Sequence, residues 1–297
     1  MEYKVVNEGE TFEIPATACY VNVPKNISGR TFVTSSNPNC IYNIRQGVST
    51  AQFSDKNIVI MGRAPKLNLN NTNSYFSADV ISAEQVTLDF TVDNAMTSVF
   101  LPFVPETVMA GDNELVKANS ADELATADYA LMPIVAEEEG KVYCDFDATI
   151  PATAPSVLVV KKELVGKVIT FKANKVVIDF SKNLVRGSIY NLHASNSTEA
   201  YTDIFGYAVK EFRKDVTVAK PFTVYLTSSL DVNTVEVVYP DGVLNTGIEE
   251  IDADMTGKMV SVYTIDGVKV RTAQYGDKML EGLPSGLYIV NGQKFVK

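Results

Sequence analysis

Apolar and polar residues alternate with a period of two along much of this chain, the spacing of strands with one buried face. Val86-Thr87-Leu88-Asp89-Phe90-Thr91-Val92 shows it most cleanly. Further strands are predicted at Val157 to Lys161, Lys167 to Lys172, Val176 to Phe180, Tyr207 to Phe212, Phe222 to Leu226 and Asn233 to Tyr239. Ala173-Asn174 is positioned to turn the 167–172 and 176–180 segments against each other. Tyr129 to Val135 and Val142 to Phe146 flank Glu137-Glu138-Glu139-Gly140, which predicts a hairpin. Ser98 to Pro105 is apolar but carries two prolines, so it reads as an edge strand or one that ends early. Ser120-Ala121-Asp122-Glu123 fits a capping box and predicts one short helix.

Residues 1–91 have a different texture. Eleven asparagines lie among short apolar segments such as Tyr20-Val21-Asn22-Val23, Cys40-Ile41-Tyr42 and Asn57 to Met61. Turn signals, among them Ser35 to Asn39 and Asn70 to Ser74, recur every 8–12 residues. That rhythm belongs to a sandwich, barrel or β-helix. No fixed repeat of 20–50 residues stands out. The last fifty residues carry two sharp signals: Val260 to Ile265, Asp266-Gly267, Val268 to Arg271, then Leu287 to Val290, Asn291-Gly292, Gln293 to Val296. Asp-Gly and Asn-Gly between alternating strands predict type I′ hairpins, in which Gly267 and Gly292 need positive φ.

Composition agrees with the pattern. The 297 residues include 39 Val against 17 Leu, with 24 Thr, and β-branched residues suit a pleated, half-buried surface. The expectation is an all-β protein: β-sandwich modules with a small C-terminal, β-hairpin-rich domain. Its divisions would be an N-terminal β-rich module (1–91), a central β-sandwich (92–243) and a C-terminal β domain (244–297). An apolar share of 46 % can supply real cores. No apolar run is long enough for a membrane-spanning helix, and no charged-then-apolar leader is visible at Met1. The net charge of −10 argues against nucleic acid, whose binders need a basic footprint.

Candidate chemistry is sparse. His193 is the only histidine and lies in the polar stretch Asn191 to Ser197, so any Ser–His or Cys–His site would need it. Asp145 and Asp147, two apart on a predicted strand, share a face, whereas a glycosidase needs carboxylates on opposite sides of one bond. Glu137 to Glu139 read as a solvated hairpin tip. Glu249, Glu250, Asp252 and Asp254 form an acidic linker without the EF-hand spacing of a calcium loop. Cys19, Cys40 and Cys144 lack CxxC spacing and read as buried thiols, a Cys19–Cys40 disulfide being the alternative. P-loop, GxGxxG and HExxH signatures are missing from the sequence. Neither a cofactor nor a metal is expected, and the chain reads as non-catalytic. Tyr190, Tyr201, Phe205, Tyr207 and Phe212 cluster in sequence; if not core, they would form an exposed aromatic platform for a glycan or a protein.

Two resemblances extend this reading. Val262-Tyr263-Thr264-Ile265-Asp266-Gly267 and Gly282-Leu283-Pro284-Ser285-Gly286-Leu287-Tyr288-Ile289-Val290 resemble the sorting domain of proteins exported through the type IX system of Bacteroidetes. Four further segments are similar to a recurring module of Bacteroidales surface proteins, including those with leucine-rich repeats. They are Ser36 to Tyr42, Met96 to Phe103, Thr149 to Val159 and Val218 to Leu226. The resemblance implies a non-catalytic, secreted or outer-membrane-surface protein acting in adhesion, binding or as a structural accessory. The alternative is a carbohydrate-binding or accessory region of a larger secreted hydrolase. The partner would be a host or matrix glycan or protein.

Overall fold

Short strands in the first ninety residues pair in parallel with one another. Thr11–Glu13 lies beside Thr31–Val33, and Tyr20–Asn22 beside Ile41–Asn43, which in turn pairs with Asn57–Val59. Arg63–Ala64 and Leu67–Asn70 both pair in parallel with the long strand Ile81–Thr91. This computed structural model describes residues 6–147, 149–241, 243, 259–264, 268–274, 279–290 and 293–297. The chain divides into two compact units, 1–248 and 249–297.

The protein is all-β, as its periodicity indicates, with only short 3-10 turns as helix among the described residues. The sandwich expectation needs correction. Successive parallel strands around one apolar interior (Ile14, Val23, Phe32, Tyr42, Ile44, Phe53 and Ile58) make the N-terminal part a short β-solenoid. Thr11 pairs with Thr31, Tyr20 with Ile41, Ile41 with Asn57 and Leu67 with Val86. The rungs therefore differ in length, and no constant period can surface in the sequence.

The solenoid also explains the asparagines. Asn39 and Asn57 are buried. The Asn57 side chain donates to Pro38 and Asn68 carbonyls, each at 2.9 Å, and accepts the Asn68 N–H at 2.7 Å. Asn39 donates to Asn70 O at 2.8 Å and also to Asn73 O, and accepts the Asn70 N–H at 2.8 Å. An amide carries both donor and acceptor, so it can replace a ladder where the backbone turns between rungs.

Ile81–Thr91 is the joint of the larger unit. One edge takes the solenoid strands in parallel; the other pairs antiparallel with Val168–Ile178 from Thr91↔Val168 to Ile81↔Ile178. The turn expected at Ala173-Asn174 does not form. Ala173 and Asn174 stay in the ladder opposite Val86 and Gln85, and after Lys175, at a φ of +52°, the pairing resumes in the same register at Val176↔Ala83.

Thr107–Ala110, itself paired with Asn113–Glu114, extends this sheet along the other edge of Val168–Ile178. Most other strands of the larger unit form one long sheet. It runs from Leu184–Arg186 through Asn191–Ala194, Val224–Thr227, Phe205–Tyr207, Glu211–Arg213, Thr234–Val238, Lys141–Cys144, Tyr129–Glu138 and Ser156–Val160 to Met96–Val99. The Tyr129–Glu138/Lys141–Cys144 hairpin matches the sequence reading. The single strand expected over Tyr207 to Phe212 is instead the turn region of a hairpin between Phe205–Tyr207 and Glu211–Arg213. Met96–Val99 ends before Pro102. The capping box yields only the 3-10 turn Asp122–Ala125, where Glu123 accepts the Asn119 N–H at 2.8 Å. Residues from strands all along the path, including Met96, Met132, Val142, Leu192, Phe205, Val224 and Val235, meet in a single core. Phe100 N–H donates to Phe222 C=O at 2.8 Å, drawing the Met96–Val99 end towards Val224–Thr227, the third strand from the other end of the path. One sheet bent around its own interior replaces the expected two-layer sandwich.

The C-terminal unit is a four-stranded antiparallel sheet in the order Lys269–Gln274, Met259–Thr264, Leu287–Val290, Gln293–Val296. Val262, Met279, Leu280, Tyr288 and Val290 pack at its centre. Both predicted strand pairs are present. The Asp266-Gly267 and Asn291-Gly292 turns lie outside the described residues, as does the acidic stretch from Glu249 to Asp254.

Candidate functional site

A cleft of about 390 Å³ opens where the solenoid meets the segment after Asn191–Ala194. One wall comes from the solenoid turns (Thr17, Cys19, Asn37), a second from Thr72 to Phe76, and a third from Asn196 to Glu199. Segments this polar and non-repetitive stay ordered only if their backbone groups find partners. Here they bind one another. Tyr75 N–H donates to Asn196 C=O at 3.0 Å. Thr198 N–H donates to Ser74 Oγ at 3.2 Å, and Glu199 N–H to Ser197 Oγ at 3.0 Å. Asn37 donates to Ala18 O at 3.1 Å and to Ser74 O at 2.9 Å, tying the first two walls together.

Beneath the cleft, Tyr75 anchors the middle wall. It is 4 % exposed and lies parallel to Phe222 with ring centres 4.1 Å apart, while Phe180 tilts against it at 5.1 Å. With Tyr75 turned inward, its neighbour Phe76 faces out and is 49 % exposed. Tyr20 meets the Phe76 ring edge-on at 6.1 Å and is hydrogen-bonded to Asp79. Burial, reinforced by the Asp79 carboxylate, pushes the Tyr20 hydroxyl up to about 12. Burial likewise raises the Cys19 thiol, so it stays protonated at neutral pH. Glu199 is the only ionised side chain in the lining.

Apart from Cys19, the candidate residues singled out in the sequence are elsewhere, and most have structural work. Tyr190, Phe205 and Phe212 are fully buried, so the aromatic cluster is not an exposed platform: the rolled sheet needs those rings as its core. Tyr190 Oη accepts the Gly140 N–H at 2.7 Å. Tyr207 is half-buried and shares a 2.8 Å hydrogen bond with the Tyr239 hydroxyl. Tyr201 packs on Tyr225 at 4.8 Å, and its hydroxyl lies 3.0 Å from Ser195 Oγ. His193 is not in a loop. It sits in the strand Asn191–Ala194, stacked on Tyr225 at 4.8 Å, with Nε2 2.9 Å from Thr227 Oγ1. Burial, and then Arg186, lowers its pKa.

Asp145 and Asp147 follow the strand Lys141–Cys144 and do not share a strand face. Asp145 accepts the Phe146 N–H at 2.7 Å; Asp147 accepts the Thr149 N–H at 2.8 Å and its hydroxyl at 2.6 Å. Glu137 is not a solvated tip residue. Its carboxylate accepts N–H groups from Ser188, Ile189 (2.9 Å) and Tyr190 (2.9 Å), and the Ser188 hydroxyl at 2.7 Å. Cys19, Cys40 and Cys144 are free thiols, and no disulfide joins Cys19 to Cys40. Among the described residues, no three His, Cys, Asp or Glu side chains converge as a metal site would require.

The cleft residues carry weak sequence signals. Asn70 to Ser74 reads as a turn and Asn196-Ser197 as part of a polar stretch, and nothing local says that the two, about 120 residues apart, share a wall. No protein-family model, curated protein or solved structure matches the chain.

Proposed function

We propose that this protein is a non-catalytic binding module of a secreted or cell-surface protein, acting in adhesion or as a structural accessory, and that it binds through the cleft of its larger unit. The observation that carries the reading is the chemistry of the cleft. Amides, hydroxyls and one exposed ring line it, with a single ionised group. Such a lining supplies orientation and hydrogen bonds to a ligand. A solenoid running into a rolled sheet presents turns on an extended, rigid scaffold, a common way to carry binding residues. The extracellular placement rests on the resemblance of the 36–42, 96–103, 149–159 and 218–226 segments to Bacteroidales surface proteins, and of 262–267 and 282–290 to the type IX sorting domain.

Proteolysis of intact source cells tests the location. Loss of the chain from unlysed cells is the expected result; full protection together with recovery in the cytoplasmic fraction would remove the surface reading. Binding of the purified chain to immobilised glycans and extracellular-matrix proteins tests the activity, and failure to retain either would remove the binding reading.

A further inference from the structure

We infer that the ligand of the cleft is a neutral oligosaccharide, with one sugar ring stacked on Phe76. The inference rests on the binding reading above and deepens it. Phe76 is an exposed large aromatic held in place by neighbours rather than by its own burial. Tyr75 beside it is locked onto Phe222, and Tyr20 supports its edge. A pyranose presents a flat C–H face whose partly positive hydrogens suit the negative face of an aromatic ring. A protein side chain gives no such extended, flat surface ringed by hydroxyls.

The rest of the lining fits the rim of that sugar. Asn73 Oδ1 accepts from Thr72 Oγ1 at 3.0 Å and Asn196 Oδ1 from the Tyr201 hydroxyl at 3.3 Å. The amide NH₂ groups of both asparagines have no partner among the described residues and remain as donors. The Thr17 and Thr198 hydroxyls can donate or accept, and the Glu199 carboxylate accepts. Donors and acceptors are thus interleaved within one recess, as vicinal hydroxyls require. Charge sets the class. The lining has no Lys, Arg or His, and the protein carries a net charge of −10. Sulfated or uronic-acid glycans would meet repulsion at Glu199 with nothing to offset it.

The test is an array of neutral, sulfated and uronic-acid oligosaccharides probed with the full chain, followed by titration of the best neutral glycan into wild type, Phe76→Ala and Thr198→Val. Retention of neutral glycans is expected, with affinity falling about tenfold or more in Phe76→Ala and severalfold in Thr198→Val. Melting temperatures should stay unchanged, because both residues lie at the cleft surface. Equal affinity in all three proteins would overturn the assignment, as would a preference for anionic glycans. If matrix proteins bind, no glycan does and Phe76→Ala has no effect, the oligosaccharide inference falls while the binding reading stands. If neither class binds, both fall. Should Phe76→Ala melt early, Thr198→Val and Glu199→Gln decide the outcome: an affinity change in neither would overturn the inference.

Discussion

Ser98 Oγ accepts the Val224 N–H at 3.0 Å and donates to the Val224 C=O at 3.1 Å, so one side chain serves both backbone groups of a residue 126 positions away. Both residues are buried. Ser98 lies on the strand at one end of the sheet path and Val224 begins the third strand from its other end. Together with the Phe100–Phe222 bond, this contact bends the sheet around its core. Ser98→Ala would leave a buried donor and a buried acceptor unpaired, at a cost of about 2 to 4 kcal/mol. Urea unfolding should show a lower midpoint, with Ser98→Thr closer to wild type. An unchanged midpoint in Ser98→Ala would place the closure elsewhere.

Asn57 should be intolerant of replacement. Its side chain holds three backbone groups that no neighbouring strand reaches. Asn57→Leu matches it closely in size yet satisfies none of them, and should lower stability by more than about 2 kcal/mol. Asn57→Asp should also destabilise, because a carboxylate has no donor for the Pro38 and Asn68 carbonyls. Thermal melting of the two variants checks this, and a wild-type melting temperature in either would count against it.

Glu137 predicts an acid-sensitive contribution. Burial alone would raise its pKa, but the Ser188 hydroxyl and the N–H groups of Tyr190, Ile189 and Ser188 outweigh it, and the net shift is downward. A depressed folded-state pKa means that the stabilisation is present above the unfolded carboxylate value and is lost as pH falls through the folded one. Wild type should therefore melt above Glu137→Gln at pH 7, and the gap should close towards pH 3. A gap independent of pH would show that the carboxylate's charge is not what binds the 188–190 turn. Gly187→Ala offers a check from the other side, since a Cβ there would press on the Tyr190 carbonyl and the Glu137 carboxylate.

Tyr75 links stability to the cleft. Tyr75→Ala removes a buried ring stacked on Phe222 and packed against Phe180, and should cost about 3 to 5 kcal/mol. Phe76 would lose its support in the same step. Glycan affinity in this variant should fall even at temperatures where circular dichroism shows it folded. Full affinity in a folded Tyr75→Ala protein would mean that the wall of the cleft holds its shape without the anchor.

Much of the secondary structure is legible in the chain because it depends on local chemistry. The alternation at Val86 to Val92 marks a strand whatever its partner, and the Glu-Gly turn at 139–140 lies between two apolar segments that pair as a hairpin. Failures fall where the partner decides. Ala173-Asn174 carries a plausible turn signal, yet both residues stay in the ladder with Ile81–Thr91. Tyr207 to Phe212 looks like one strand, yet residues 208–210 turn and Val209 adopts a φ of +48°. The candidate site was almost wholly illegible: the aromatic cluster at 190–212 is core-forming, while Phe76 and Thr198 stand in unremarkable polar turns.

The β-branched, alternating sequence by itself determined that this protein is built of strands, because side-chain period and χ1 stiffness act within a few residues. The Asp-Gly and Asn-Gly pairs likewise marked which strands of the C-terminal unit would be neighbours. Tertiary structure alone decided that the early strands stack in parallel and that the central sheet closes on itself. It alone brought Thr17, Phe76 and Thr198 to one cleft. Those outcomes depend on which distant backbone groups meet, and the contacts that settle them, such as Asn39 to Asn70 and Ser98 to Val224, join residues with no local pattern in common.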